Sequence, residues 1–463
     1  LGSPLAAQGS PVKARGKIPT LLLLLLWTGI NLLQAAMTEL SYDEGYYWVC
    51  SRFPDWGYYE HPPMAAMLIR FGYALFQNEL GVRLLFVILS TGTIALMHRL
   101  TGGKAPMLFF TIIFASFYFH VTGAAAIPSV PLMFFSALFF VAVKDYIIDD
   151  RGARTALLAI TIPLMLYSKY QGLLVILFTV GANPSFLKRK SFWLIAGISA
   201  GLLIPHLLWQ AGHGFPTARL HLIDRYREAY TPMFILSYCL SQPLILGPLI
   251  GFIILAAALR ARPEEGFERT LKVNVVGFLL FFLLISLRGK TEPNWTAPAF
   301  IPAILLAHRY MADRVAWKRA MVALAVPSFI LLLLARIQIV YPLLPLRDDI
   351  GAQFRGWKTF VLEMKGMPIV ACSYAVAGKL SFYGDSLVPS LNADSLSNQY
   401  EYWHLTDALR GKSVLLLSPI DPGGGARAVT TPAGNVLYAL RMAAFDPAEA
   451  KRLVGAATSS PAR

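Results

Sequence analysis

Asp43-Glu44 is followed by Glu60-His61-Pro62-Pro63, and this run of acids begins just after the first stretch of chain apolar enough to cross a bilayer. Carboxylates that close to hydrocarbon are costly unless they face water, a pocket or a partner, so they read as a functional site. The chemistry open to them is proton transfer, because a carboxylate within hydrogen-bond reach of an attacking hydroxyl or amine can take its proton as the new bond forms. Cations recur in other segments on the same expected face: Lys169 in a turn between two apolar runs, Arg219, His221 and Arg225 in one loop, and Lys290 in Arg-Gly-Lys-Thr-Glu-Pro-Asn-Trp. Such groups can hold negative charge that develops on a departing phosphate. These separated segments could converge on one site.

Each residue also has a plainer explanation. Asp43-Glu44 could be a solvated helix start, since acids favour the first turn. Glu60 could cap a helix in a turn stiffened by prolines, with His61 a bystander, and Lys169 could snorkel to the interface. Arg219, Arg225 and Arg227 could touch lipid headgroups, and Arg227 is left out of the candidate set. Lys290 and Glu292 could simply pair. No His, Cys or carboxylate cluster has metal-ligand spacing, although Asp43, Glu60 and His61 could meet in space; a divalent metal is compatible but not predicted, and no cofactor is required.

The elements that must position these groups are membrane helices. The 463 residues are 56% hydrophobic and 14% charged, more apolar than a soluble protein of this size needs. Apolar segments recur at 18–36, 82–99, 106–123, 127–145, 154–168, 171–183, 192–211, 233–259, 273–288, 295–311 and 319–339, about eleven expected transmembrane helices. The first, with a basic lead and Leu21 to Leu26, could also be a signal peptide. The net charge of +15 sits in alternate loops, such as Lys188-Arg189-Lys190 and Arg309 to Arg319. By the positive-inside rule those loops are cytoplasmic and the acidic segments lie outside. The excess is topological and calls for no nucleic-acid partner.

Three domains or segments follow: a disordered tail at 1–17, a transmembrane domain at 18–339 whose first external loop covers about 37–81, and an external domain at 340–463. The loop is long enough to be functional. It is expected to hold two short interfacial helices, with Trp48, Trp56, Tyr58 and Tyr59 at headgroup depth. The last domain has an α/β rhythm, with strand-like Pro368 to Cys372, Ser413 to Leu417 and Asn435 to Leu440, and helix-like Tyr374 to Phe382 and Tyr402 to Leu409. Cys50, Cys239 and Cys372 suggest no disulfide framework. Gly423-Gly424-Gly425 has no Gly-Lys-Ser/Thr sequel and reads as a loop.

Leu40 to Trp48, Trp56 to Pro63, Tyr167-Ser168-Lys169-Tyr170 and Lys290 to Trp295 together resemble the bacterial branch of the protein O-mannosyltransferase and aminoarabinose (lipid A) transferase superfamily, which are GT-C glycosyltransferases. The resemblance implies an α-helical integral membrane GT-C fold with a small C-terminal periplasmic α/β domain, in the bacterial inner membrane. It implies transfer of a sugar from a polyprenyl-phosphate donor to a periplasmic-face acceptor: lipid A or lipopolysaccharide core, another glycolipid, or a protein. Carried over, Asp43 is the catalytic base, Glu44 its neighbour, and Glu60 the second acidic motif. His61 stands where the aminoarabinose branch commonly has lysine, which puts the sugar in doubt. Lys169, His61, Arg219, His221, Arg225 and Lys290 are the candidate donor-phosphate ligands, and Glu292, Asn294, Tyr58 and Tyr59 the substrate contacts. One displacement would invert the anomeric centre, since no second carboxylate is demanded as a covalent nucleophile. The rival from another class is a transporter or flippase of lipid-linked sugars, with the acids as an ion or proton site.

Overall fold

A computed structural model describes residues 17–458, apart from 224, 226–229, 265, 347–348, 350, 365, 385, 394–396, 432–433 and 435. Asp224, Arg227, Asn435 and the expected tail before residue 17 therefore lie outside the described residues. Among those described, every expected apolar segment is helical. The chain runs α1 (Lys17–Met37), α2 (Tyr42–Arg52), α3 (Met64–Leu75), α4 (Glu79–Leu100), α5 (Pro106–Phe114), α6 (Phe117–Ala124), α7 (Ser129–Ile148), α8 (Ala153–Ser168), α9 (Gly172–Ala182) and α10 (Lys190–Gly212). It continues through α11 (Pro216–Leu222), α12 (Met233–Leu246), α13 (Gly251–Arg260), α14 (Gly266–Ile285), α15 (Phe300–Ala312) and α16 (Val315–Val340).

Fewer of these are unbroken rods than the eleven apolar segments suggested. Five helices (α1, α4, α7, α10 and α16) are long and apolar enough to cross a membrane, and seven spans result if two bent pairs each count once. The bends are 73° between α5 and α6 and 97° between α12 and α13. Gly247-Pro248 explains the second, because proline cannot supply the amide that would continue α12. Helices α8 and α9 have 16 and 11 residues, short of the ~20 that a full crossing needs. Charge within the first turns of α14, at Glu268, Arg269 and Lys272, leaves it only a shortened apolar face.

The first loop folds as expected into two short helices: α3 leaves Met67, Phe71 and Leu75 exposed on one face, as an interfacial helix would, whereas α2 is covered. After the membrane helices come α17 (Trp357–Glu363), β1 (Ile369–Ala371), α18 (Tyr374–Tyr383), α19 (Tyr400–Trp403), β2 (Val414–Ser418), β3 (Arg427–Thr430), β4 (Val436–Met442) and α20 (Pro447–Thr458). Helix α18 lies directly on α2, and glycines make the approach possible: a Cβ on Gly378 would sit 2.6 Å from the Gly45 carbonyl carbon. Further ties are the Tyr383 hydroxyl accepting from Leu40 N at 2.7 Å and the Glu39 carboxylate accepting from Trp357 N at 2.8 Å. Trp48, Tyr58 and Tyr59 are consequently buried, and only Trp56, 52% exposed, remains available to headgroups. The expected interfacial placement of the other three is corrected: Trp48 packs edge-on against Tyr73 and Phe382.

The C-terminal sheet has the order β1-β2-β4-β3, with β1 parallel to β2 and the other pairs antiparallel. Three strands match the α/β rhythm, and β3 was not anticipated because its Arg-Ala-Val-Thr is largely exposed and lacks an apolar run. The expected helix from Tyr402 to Leu409 is instead one turn of α19 and a 3-10 turn at Asp407–Leu409, separated at His404 with φ +48°. A separate core forms around Val370, Leu391, Val414, Leu416, Phe445 and Val454. The Gly423 to Gly425 segment is a loop with positive φ at all three residues.

Candidate active site

Helix α2 carries both acids of the first pair, and its local sequence sends them in different directions. Ser41 is its N-cap and Glu44 its N3 residue, and the two close a reciprocal capping box. The Glu44 carboxylate then meets Arg83 of α4 in a two-pronged pair, Nε to Oε1 and Nη2 to Oε2, both 2.6 Å. Ser41 N and Ala126 N donate to the same carboxylate at 2.7 and 2.9 Å. Arg83 in turn donates to the carbonyls of Ala35, Thr38 and Glu39. With each partner 1% exposed, the charges are fully compensated and far from solvent. Arg83 and the two backbone donors hold Glu44 below the usual glutamate range despite burial. The expectation of a catalytic Glu44 is corrected: all its acceptor capacity is engaged, and it does not line the cavity beside it.

Asp43, one residue earlier, faces that cavity. The space is about 630 Å³ and brings together Asp43, Glu60, His61, Lys169, His221, Arg225, Glu292 and Asn294 from the first loop, the α8–α9 turn, the segment at and after α11, and the turn before α15. Asp43 keeps solvent-accessible surface, but that surface opens into the cavity, and no hydrogen bond among the described residues engages its carboxylate. Burial among the cavity walls, followed by the neighbouring charge of Glu44, raises its pKa, while Lys169 opposes the rise. A carboxylate so placed is both unengaged and a better proton acceptor.

Lys169 is the buried cation of the site, 6% exposed, with its Nζ donating to Ser129 Oγ at 3.2 Å. Burial, then Arg225, brings it down to about 8, with Asp43 and Glu292 pulling the other way. Snorkelling is thereby excluded for its ammonium. Arg225 lies over the Trp295 ring at 5.2 Å, and its Nε is buried without a hydrogen-bond partner among the described residues. His61 and His221 also line the cavity, but as neutral rings: burial and the cations around them depress both, His221 to about 4 and His61 well below its usual value. They can each offer one hydrogen bond to an anion and no charge.

Glu60 accepts from the Tyr46 hydroxyl at 2.6 Å, and burial raises it to about 7. Arg219 is exposed and Lys290 is 67% exposed, and neither lines the cavity. Lys290 pairs loosely with Glu292 at 3.9 Å, so the plainer explanation holds for the lysine while Glu292 still faces the cavity. Tyr58 and Tyr59 are corrected as substrate contacts. Tyr58 donates to the carbonyls of Cys50 and Phe53 inside the loop, while Tyr59 N donates to Gln399 and its ring packs on Tyr402 of the C-terminal domain. The cavity's own aromatics are Tyr46, Tyr47, Trp295 and Tyr374, with Ser129 and Ser397. Tyr46 and Tyr47 stand within the same acidic motif; no signal in the sequence pointed to Ser129, Tyr374 or Ser397. Among the described residues no group of three His, Cys, Asp or Glu could hold a metal ion.

A second, apolar space of about 510 Å³ opens beside the first and shares His61, Lys169, His221 and Trp295 with it. Leu173, Leu174, Leu207, Leu222, Phe281 and Phe282 supply its greasy wall. Its polar rim is satisfied internally: Tyr170 OH meets His206 Nε2 at 2.7 Å, and Gln210 donates to Thr217 Oγ1 at 2.9 Å. The arrangement is amphipathic, with a charged chamber and an apolar groove meeting at a buried lysine.

The structure of ArnT from Cupriavidus metallidurans in the apo state superposes with a TM-score of 0.65 at 14% sequence identity, over 93% of this chain and 98% of that one. The structure of the same ArnT bound to undecaprenyl phosphate gives a TM-score of 0.64 at 15% identity, over 91% and 97%. The chain has the GT-C fold. Residues 60–209 also match the family model for dolichyl-phosphate-mannose-protein mannosyltransferase, a stretch that contains Glu60, His61 and Lys169 but not Asp43. No curated protein sequence matches the chain. The chain is thus similar to a GT-C glycosyltransferase in fold and, over residues 60–209, to a mannosyltransferase family model, and with its apolar helices it is a multi-pass membrane protein.

Proposed function

We propose that this protein is an inverting glycosyltransferase that moves a sugar from a polyprenyl-phosphate donor to an acceptor at the periplasmic face of a bacterial inner membrane. The observation that carries this reading is the junction of chamber and groove at Lys169, His61, His221 and Trp295. A polyprenyl phosphate needs such a junction, with an apolar path for its tail ending at a cation for its head. The ArnT whose structure holds undecaprenyl phosphate has the same fold, which supports a lipid of that class as the donor carrier.

In this reading Lys169 and Arg225 hold the phosphate, and the neutral His61 and His221 each give it one hydrogen bond. Departure of the phosphate needs little beyond this charge stabilisation. Asp43 takes the proton of the incoming hydroxyl or amine as the new anomeric bond forms, while the old C–O bond breaks and its electron pair leaves with the phosphate. Glu292, Asn294 and the aromatic rings at the cavity wall contact the sugar. The acceptor is a lipid A or lipopolysaccharide core sugar, another glycolipid, or a protein hydroxyl. The proposed domains keep their expected ranges, 18–339 for the catalytic part and 340–463 for the external part.

The test is Asp43→Asn in cells whose lipids and surface glycans are profiled by mass spectrometry with and without the protein. A glycan that depends on the wild-type chain should disappear in the variant while undecaprenyl phosphate binding persists. Retention of that glycan at wild-type level would refute the assignment.

A further inference from the structure

The C-terminal domain does more than cover the first loop, for it reaches a side chain within the cavity. Tyr46 of α2 is 4% exposed and its hydroxyl makes two hydrogen bonds. Gln399 N, just before α19, donates to the hydroxyl oxygen at 3.1 Å, and the hydroxyl lies 2.6 Å from Glu60 Oε2. Gln399 is itself fixed, since its Oε1 accepts from Tyr59 N at 2.7 Å. A phenol has one proton to give. With an amide donor already pointing at its oxygen, that proton is left for Glu60.

We propose that Tyr46 is a positioning residue for Glu60, with the Gln399 amide of the C-terminal domain fixing the direction of the phenol proton so that Glu60 is aimed into the chamber. The inference rests on the reading of that chamber as a lipid-phosphate site. The ring of Tyr46 is locked by Tyr374 and Tyr400 of the same domain, at centroid distances of 5.0 and 6.1 Å. Glu60 also feels Asp43 and Cys50 of α2 and Arg225 after α11, and its backbone is hydrogen-bonded to His221 of α11. Tyr47 lies near enough to sense its charge. Of all these groups, Tyr46 alone donates a side-chain hydrogen bond to its carboxylate among the described residues. The bond favours the ionised carboxylate, so its loss moves the titration of Glu60 upward.

The experiment measures binding of undecaprenyl phosphate to the full-length protein in detergent between pH 5.5 and 9, for wild type, Tyr46→Phe, Glu60→Gln and the double variant. An ionised Glu60 repels the phosphate, so wild-type binding should weaken as pH rises through about 7, and Glu60→Gln should abolish that limb and leave only the separate fall beyond about 8 that deprotonation of Lys169 causes. Tyr46→Phe should shift the same limb upward by about one pH unit, the loss of a hydrogen bond to a charged group. The double variant should match Glu60→Gln alone, and all four should bind equally below the limb, which also shows that each is folded. The proposal is overturned if Tyr46→Phe leaves the limb in place, if Glu60→Gln does not remove it, or if the double variant binds worse than Glu60→Gln. Binding of undecaprenyl phosphate by none of the four at any pH overturns the underlying reading and this inference together.

Discussion

Glu44→Gln and Asp43→Asn are the same chemical change at neighbouring positions, and the structure predicts opposite consequences. Glu44 accepts four hydrogen bonds, two from Arg83 and one each from Ser41 N and Ala126 N. A glutamine there must turn its amide hydrogens toward at least one of those donors and leaves Arg83, 1% exposed, without its hydrogen-bonded countercharge. Breaking one member of such a buried pair costs about 3–5 kcal/mol. For a chain of this size that corresponds to a melting temperature lower by at least several degrees. Asp43 has no such partner to lose, and burial has already raised its pKa, so its charge opposes folding and Asn should be neutral or slightly stabilising. The assay is thermal unfolding of both purified variants beside mass spectrometry of the glycans they support. Glu44→Gln should melt early and retain transfer in proportion to the folded fraction, whereas Asp43→Asn should melt normally and transfer nothing. An early-melting Asp43→Asn, or a fully stable but inactive Glu44→Gln, would refute the division of roles. The pH dependence provides a further check on sign: a lowered carboxylate pKa gives stability that is present above the usual glutamate range and lost as pH falls through the folded value, so wild type should lose stability in acid along a limb absent from Glu44→Gln.

Lys169→Met should weaken undecaprenyl phosphate binding by about 10- to 100-fold, the range for a hydrogen bond to a charged group, as read by isothermal titration. Because burial and Arg225 bring Lys169 down to about 8, affinity for the lipid phosphate should also fall as pH rises beyond that value, a limb absent from Lys169→Met. Gly378→Ala should destabilise the fold by about 1–3 kcal/mol through overpacking against Gly45, with Gly366→Ala, whose added Cβ meets open space, as a contrast whose cost is confined to its positive φ. Thermal unfolding of the two variants separates those effects.

The membrane helices were legible because their apolar runs are long and punctuated by charge, which a single sequence displays directly. Their bends were less so: Gly247-Pro248 is a visible break, whereas the turn at Ala115-Ser116 carries no proline or glycine. Within the site, Asp43, Glu60, Lys169, Arg225 and Glu292 were legible as charges close to apolar runs. Glu44 shows where that reasoning fails. Its plainer explanation, a solvated helix start, was right about the helix start and wrong about the solvent, and the buried partner that decides its role is Arg83 from across a loop. Tyr58 and Tyr59 misled for a related reason, since an aromatic beside an acidic motif looks like a sugar contact until the C-terminal domain is seen to cover it. Tyr374 and Ser397 were unreadable, because they join the cavity only where the C-terminal domain packs on the first loop, and no local pattern encodes a pairing across so much intervening chain.

The account stands or falls on where a lipid phosphate binds. A structure of the full chain with undecaprenyl phosphate is predicted to place the phosphate within hydrogen-bond reach of Lys169 Nζ, with the tail along Leu173, Leu207 and Phe282 and the open side of the phosphate facing Asp43. A phosphate seated away from Lys169, or a tail that leaves that groove empty, would contradict it.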